Sequence, residues 1–373
     1  MQKKIDMSSF EKRKEAFVKL GQYLLQFLQS VESETDLSAQ LSPIQIDKFR
    51  EADRAIRGFI GNSTQFNPWF VREFLLFSIH SIALSLAEEE LEKWTSDYPQ
   101  LIEPQKAPKN IAIVMAGNIP LVGFHDYLCV VLSGHKLIAK LSKEDAVLLP
   151  LFHQILSSFY PALSDFALFT SEKLANFDAV IATGSDNTAR YFDYYFGKYP
   201  NIIRKNRNGV AVLDGKENQK ELELLADDIF LYFGLGCRNV SKLFVPLHYD
   251  FKNLFLAFEK YKDLFNHNKY RNNYDYNKSI YLINKERHLD NGFVLLKEEE
   301  SISSPISVLF YEHYTNPLDL NAKLLSQKQQ IQCVISGNEF DDCQVFPFGS
   351  AQNPMLSDYA DGVDTLKFLL SLK

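Results

Sequence analysis

The chain has 373 residues, 46% of them hydrophobic and 13% aromatic, enough apolar side chains to fill two cores of ordinary size. Its formal charge of −7 and pI near 5.7 exclude a general nucleic-acid binder, whose surface carries a basic excess. Apolar stretches are broken by Gly, Pro, His or charge well short of a spanning length, so no stable membrane insertion is expected.

The opening Met1-Gln-Lys-Lys-Ile-Asp6 continues with mixed charges and lacks the apolar core of a secretory signal. Cys129, Cys237, Cys333 and Cys343 are scattered, with no CxxC pair and no zinc-type Cys/His spacing. The expectation is a cytoplasmic protein with reduced thiols and no metal.

Residues 8 to about 34 show helical periodicity, with Phe17, Leu20, Leu24, Phe27 and Leu28 on one face. A second helix is expected over about 43–60 and a long one from Val71 to Trp94, with Asn67-Pro-Trp-Phe70 between them. This helical first quarter reads as scaffold.

At Pro108 the pattern changes to alternating strands and helices. Strands are expected at Ile111–Met115, Lys136–Lys140, Ala179–Thr183 and Gly209–Asp214. Helices are expected at Leu121–Leu132, Leu148–Phe159, from Asn187, and at Gln219–Tyr232. Such alternation implies a parallel, doubly wound α/β sheet. After the strand Lys242–Val245 come a helix (Tyr249–Phe265) and a polar loop (His267–Lys278). Strands then follow at Ser279–Ile283, Phe293–Leu296, Ile306–Phe310 and Ile331–Ile335, and a helix at Val363–Leu372 closes the chain.

Ligands of doubly wound sheets bind at the C-terminal strand ends. Three segments lie there: Gly117-Asn118, Lys140 to Lys143, and Gly184-Ser185. Asn118 can offer its amide N–H to a developing oxyanion, and reads equally well as a turn asparagine. Lys140 suits a ribose hydroxyl or a phosphate, although surface lysines are commoner. Gly184-Ser185, opening a helix, suits a pyrophosphate without being a GxGxxG motif. Further on, Gly234-Leu-Gly-Cys237 puts a thiol after two glycines at an element boundary. If a helix starts there, its N-terminus favours the thiolate. Taken alone, Cys237 reads as a small buried apolar residue.

In order, Ala116-Gly-Asn118-Ile-Pro120, Ile138-Ala-Lys140-Leu-Ser142-Lys143, Ala182-Thr183-Gly184-Ser185 and Gly234-Leu-Gly-Cys237 resemble the aldehyde dehydrogenase superfamily. The ending Pro347-Phe-Gly-Ser-Ala-Gln-Asn-Pro354, with Asp361-Gly-Val-Asp364, is similar to the LuxC-type acyl-CoA reductases, the fatty acid reductases of bacterial luminescence. The resemblance covers roughly residues 105–373. It implies Cys237 as nucleophile and Asn118 as oxyanion donor. It also implies Lys140, Ser142 and Lys143 at the adenosine ribose, and Thr183, Gly184 and Ser185 at the pyrophosphate.

The implied fold is aldehyde dehydrogenase-like: a Rossmann-like parallel-sheet cofactor domain, an α/β catalytic domain and a helical N-terminal region. The expected division is 1–214 for the helical region and NADP(H)-binding domain, 215–345 for the catalytic domain, and 346–373 for a C-terminal segment packing back on the rest.

Three departures from the superfamily pattern sharpen the expectation. The stretch Ile202-Ile-Arg-Lys-Asn206 stands where a Glu-Leu-Gly-Gly motif supplies the glutamate that activates hydrolytic water. Without that base, hydrolysis to an acid is disfavoured. Lys143 stands where NAD-preferring members place the glutamate that takes the ribose hydroxyls, which favours NADPH over NADH. Glu300, in Glu299-Glu-Ser-Ile-Ser-Ser-Pro305, is one residue out of register with the glutamate that positions the nicotinamide ribose. The implied activity is NADPH-dependent reduction of a fatty acyl thioester to the aldehyde. The donor would be acyl-CoA or an acylated carrier or synthetase protein, and the protein a homo-oligomer. The alternatives are another enzyme of the superfamily, acting on a short acyl-CoA, a semialdehyde or an acyl phosphate, or a silent relative serving as scaffold.

Overall fold

The computed structural model describes residues 9–33, 35–103, 108–184 and 186–372, which form two compact units. The first comprises the chain to Lys205 and the segment from Met355 onward, and the second runs from Asn206 to Pro354.

The first unit opens with α1 (Ser9–Gln29), α2 (Ser38–Leu41), α3 (Ile46–Phe66), α4 (Arg72–Ser85) and α5 (Glu88–Thr95). The expected helix from Val71 to Trp94 is thus two. Ala87 is extended, at φ −57° and ψ 143°, and Glu88, Glu89 and Glu90 crowd the first turn of α5, where carboxylates suit the helix dipole. Then come β1 (Asn110–Val114), α6 (Phe124–Ser133), β2 (Lys136–Lys140), α7 (Leu148–Phe159), β3 (Ala167–Thr170), β4 (Ala179–Thr183), α8 (Asp186–Phe196) and β5 (Asn201–Arg204).

These five strands form a parallel sheet in the order β3-β2-β1-β4-β5, so the direction of winding reverses between β1 and β4. The central strands β1 and β4 bury both faces, as parallel strands do, whereas the edge strand β3 exposes Leu168. On one face Ile111, Ile113, Leu137 and Ile181 join a large core with α1, α3, α6 and α7. On the other, Ala112, Val180 and Ala182 meet Phe192 and Phe196 of α8.

The second unit holds β6 (Asn208–Val212), α9 (Gln219–Phe230), β7 (Val240–Pro246), α10 (Lys252–Phe258), α11 (Asn268–Ile283), β8 (Leu289–Asp290), β9 (Leu295–Glu298), β10 (Val308–Tyr314), α12 (Pro317–Ser326), β11 (Ile331–Ile335) and β12 (Val345–Phe346). The sheet order is β12-β11-β6-β7-β10-β9-β8, parallel except for the β8–β9 pair. The unit boundary therefore lies at 205 rather than at 214, because β6 pairs with β7 and β11 instead of closing the first sheet. The chain ends with α13 (Thr365–Leu370), back in the first unit, where Trp94 Nε1 donates to the Tyr359 hydroxyl over 2.9 Å.

Residues 267–283 depart most from expectation. The polar loop and the strand at Ser279–Ile283 are one helix, α11. Tyr270, Tyr274, Asn277 and Tyr281 recur at helical spacing and are all buried. His267 caps the helix by accepting the Tyr270 N–H, and the Asn277 amide donates to the Ile306 carbonyl. Tertiary burial of a tyrosine stripe overrides the polar local composition. Among the described residues no helix is long and apolar enough to cross a membrane.

Candidate functional site

In the first unit, strand register sets the site. Val114 lies opposite Lys140 and Ala182, Lys140 opposite Thr170, and Thr183 opposite Arg204, so these strands end along one edge. The loop carrying Asn118 leaves β1 and the one carrying Gly184 leaves β4, flanking the point where the winding reverses. In doubly wound sheets the connections diverge at such a point, and ligands bind there. Asn118 is exposed, Lys140 is half-buried, and Lys143 is exposed in a one-turn 3-10 helix capped by Ser142. The Ser142 hydroxyl also donates to the Glu144 carboxylate. Thr183 is half-buried at the end of β4, and Gly184 donates its N–H to the Arg204 carbonyl over 3.3 Å. A Cβ on Gly184 would lie 2.9 Å from Phe192 and 3.0 Å from Thr188, so a side chain there would push α8 off the strand end. Ser185 lies outside the described residues.

The stretch Ile202-Ile-Arg204 is strand β5, and its arginine is buried. Arg204 donates through Nη1 and Nη2 to the two oxygens of Asp126, over 2.6 and 2.9 Å, and through Nη2 to Thr365 Oγ1 over 2.9 Å. A bidentate ion pair thus ties β5 to α6 and to α13 at the chain end.

In the second unit, Cys237 is half-buried in the turn before β7. No helix begins there, which corrects the dipole argument: the adjoining helix, α9, ends at this turn. The turn is built by Asn239, which is almost wholly buried. Its side chain accepts the Gly236 N–H over 2.8 Å and donates to the Asp228, Ile229 and Leu231 carbonyls. These bonds satisfy carbonyls that the ended helix leaves without intrahelical partners. Tyr232 and Phe233 are left-handed, at φ 56° and 57°, and Gly234 follows at 74°. Two bulky residues in that region are strained, and such strain concentrates at functional sites. Beneath the turn, a Cβ on Gly209 would lie 2.6 Å from the Arg238 carbonyl, so only glycine lets β6 approach it. Among the described residues no disulfide and no metal-binding cluster of His, Cys, Asp or Glu is found.

Two charged groups beside this turn escape a sequence reading. Asp228, fully buried at the end of α9, accepts the Gly349 N–H over 2.6 Å and the Ala351 N–H over 2.9 Å. It thereby pins the Pro347-Phe-Gly-Ser-Ala351 segment to the helix that leads into the cysteine turn. Its sequence signal is an aspartate directly before Ile229-Phe-Leu231. Lys242, buried in β7, donates to Glu312 and to the Glu300 carbonyl, 2.7 Å each. Its signal is a lysine inside an apolar strand. The Glu300 loop is thus held through its backbone, with Lys242 beneath it.

Burial raises the Asp228 carboxyl to about 7, against the two N–H donors that pull it down. An unfolded carboxyl has lost its proton above about pH 4, so the folded chain binds the extra proton between about pH 4 and 7. Stability from this group is therefore fully present below that window and is lost as pH rises through it. Asp228→Asn removes the titration. Denaturant unfolding at pH 5 and pH 8 is expected to show a pH dependence flattened by on the order of 2–3 kcal/mol. An unchanged slope would mean that Asp228 ionises as it does in water.

No protein-family model and no curated protein matches the chain. Solved structures do. Aldehyde dehydrogenase 21 from Physcomitrella patens, in complex with the reaction product succinate, superposes with a TM-score of 0.60 at 12% identity, covering 98% of this chain and 84% of that one. The aldehyde dehydrogenase KauB from Pseudomonas aeruginosa gives 0.57 at 11% identity, covering 89% and 72%. A mutant of the P. syringae indole-3-acetaldehyde dehydrogenase AldA, in complex with NAD+ and IAA, gives 0.56 at 12%, covering 88% and 72%. With its two sheets and helical N-terminus, the chain therefore has the aldehyde dehydrogenase-like α/β fold.

Proposed function

We propose that the protein reduces a long-chain fatty acyl thioester, acyl-CoA or an acylated carrier protein, to the fatty aldehyde through a thioacyl intermediate on Cys237, with NADPH as reductant. The observation that carries this reading is Arg204. The stretch Ile202-Ile-Arg204-Lys-Asn206, which the resemblance sets against the water-activating motif, holds no carboxylate, and its arginine is buried and locked to Asp126 and Thr365. A stretch without that carboxylate base disfavours hydrolysis of an acyl group on Cys237 and so favours its reduction.

The residues present fit a phosphorylated dinucleotide. The sheet reverses between β1 and β4, glycine closes the β4 end, and Lys140 and Lys143 stand at the β2 end with cationic groups for ribose and 2′-phosphate. Bound NADPH would supply the hydride. Cys237 Sγ attacks the thioester carbonyl, and the carbonyl oxygen becomes an oxyanion. Asn118 donates its amide N–H to that oxygen. As the tetrahedral centre collapses, the C–S bond to the donor breaks and its sulfur leaves as thiolate. One thiolate displaces another, so the step needs no strong acid. After reduction, Cys237 leaves as thiolate and is regenerated.

The test is acylation by acyl-CoAs of graded chain length, read by mass spectrometry of the Cys237 peptide, with NADPH and NADH loss followed in parallel. The expected result is a mass shift on Cys237 that is largest with long chains and cleared by NADPH. A preference for a short acyl-CoA, a semialdehyde or an acyl phosphate would move the assignment to another reaction of the same site chemistry. A Cys237 that takes up no acyl group from any donor would overturn it.

A further inference from the structure

Two loops of the first unit touch at the edge of the sheet. One, Gly117 to Leu121, carries Asn118. The other, Lys140 to Asp145, carries the two lysines. A Cβ on Gly117 would lie 2.5 Å from Ser142 Oγ, 2.6 Å from Ser142 Cβ and 3.3 Å from the Asp145 N, so the second loop packs on the first as closely as a glycine permits. Just past Pro120, Leu121 adopts the left-handed conformation, φ 59°, which a leucine holds only where its surroundings over-determine it. What holds it is Asp145. Its buried carboxylate accepts the Leu121 N–H through Oδ2 over 2.7 Å. That carboxylate has no cation partner among the ion pairs of the described residues, so its burial is offset chiefly by this one backbone donor. Both loops are also pinned from behind. Ser78 Oγ donates to the Pro120 carbonyl over 3.0 Å, and the Asn67 amide donates to the Glu144 carbonyl over 3.4 Å.

We infer that Asp145 is a positioning residue that makes these two loops one body, so that a phosphate-bearing ligand seated against Lys140 and Lys143 is felt at Asn118. Ordering one loop orders the other, and by linkage whatever binds one tightens the other by the same factor. The consequence for catalysis rests on the function proposed above. The tie itself rests on the geometry.

Hydrogen exchange of the peptide spanning residues 115–124 tests it, with and without NADPH, in the full chain. In Asp145→Ala without ligand, this peptide is expected to exchange roughly 10-fold faster than in wild type, while peptides from the α1 and α3 core stay unchanged. NADPH is expected to slow exchange of the peptide at least about 5-fold in wild type, and not in Asp145→Ala, although Asp145→Ala still binds NADPH by fluorescence quenching. Asp145→Asn keeps an oxygen to accept the Leu121 N–H and is expected to restore most of the protection. Where the alanine variant does not fold, Asp145→Ser, too short to reach the Leu121 N–H, takes its place with the same expected result. As a reciprocal check, Gly117→Ala, whose methyl would meet Ser142, is expected to weaken NADPH binding several-fold. Unchanged ligand-free exchange in Asp145→Ala or Asp145→Ser, or equal NADPH protection in wild type and Asp145→Ala, overturns the inference. A wild type that binds no nicotinamide cofactor defeats the functional reading alone, and the ligand-free comparison still decides the tie.

Discussion

Cys237→Ala is expected to abolish acylation by labelled acyl-CoA and to lower NADPH-dependent turnover by more than about 10⁴-fold, the scale of loss when a nucleophile is removed. Asn118→Ala is expected to cost about 10²–10³-fold in kcat, because one amide donor to the oxyanion is gone, while NADPH binding stays within a factor of two or so. The pair separates two roles. The cysteine variant should show no covalent intermediate, whereas the asparagine variant should show one that forms slowly. Rapid-quench mass spectrometry of the Cys237 peptide reads both. Turnover retained in Cys237→Ala would remove the nucleophile assignment. A catalytically silent scaffold predicts something else again: slow labelling of Cys237 by iodoacetamide, with the pH dependence of an ordinary thiol.

Arg204→Met is expected to destabilise the first unit by about 3–5 kcal/mol, because it leaves the Asp126 carboxylate buried without its partner. Adding Asp126→Leu removes that orphaned charge and is expected to recover most of the loss, since an apolar pair of similar volume often does as well as a buried ion pair. Denaturant midpoints of the two variants and the wild type give the comparison. Arg204→Glu, the substitution that would seem to rebuild a hydrolytic enzyme, is expected to fail. It buries two carboxylates side by side and releases α13, which Arg204 also holds through Thr365. An Arg204→Met protein as stable as wild type would show that the pair is not what holds the end of β5, and the strand would again be open to a catalytic role.

These predictions draw on different parts of the molecule, and those parts differ in how legible they are in the chain. Asn118, Gly184 and Cys237 are readable because a glycine marks the turn at each, and Lys140 because it ends a short apolar run. Strands β1, β2, β4 and β11 stand close to where hydrophobic continuity puts them, and a parallel sheet buried on both faces writes that continuity into consecutive residues. Strands β3 and β5 were missed. β3 exposes Leu168, and β5 carries an arginine that looks solvated until Asp126 is seen opposite it. Helix α11 was missed for a related reason. Its sequence is mostly polar, and only the packed structure shows that Tyr270, Tyr274 and Tyr281 point in while Tyr276 stays exposed.

The alternation of strands and helices, the doubly wound class, the helical first quarter and the placement of Asn118, Lys140, Thr183, Gly184 and Cys237 at element ends follow from the sequence by itself. Each depends on neighbours within a few residues. The remainder was decided by the tertiary structure: the boundary at Lys205, the Arg204–Asp126 pair, the tie from Asp145 to Leu121, and the bonds from Asp228 to Gly349 and Ala351. The bonds among these join backbone or charge across 24 to 123 positions of chain. Polar groups reveal their partners only after the chain has folded, because burial is what makes an unpaired one costly. The same holds for the turn at Cys237. Its two glycines are visible in the chain, but the asparagine that ties off helix α9 acts only once that helix is in place, and it leaves the thiol on a reversing turn rather than at the start of a helix.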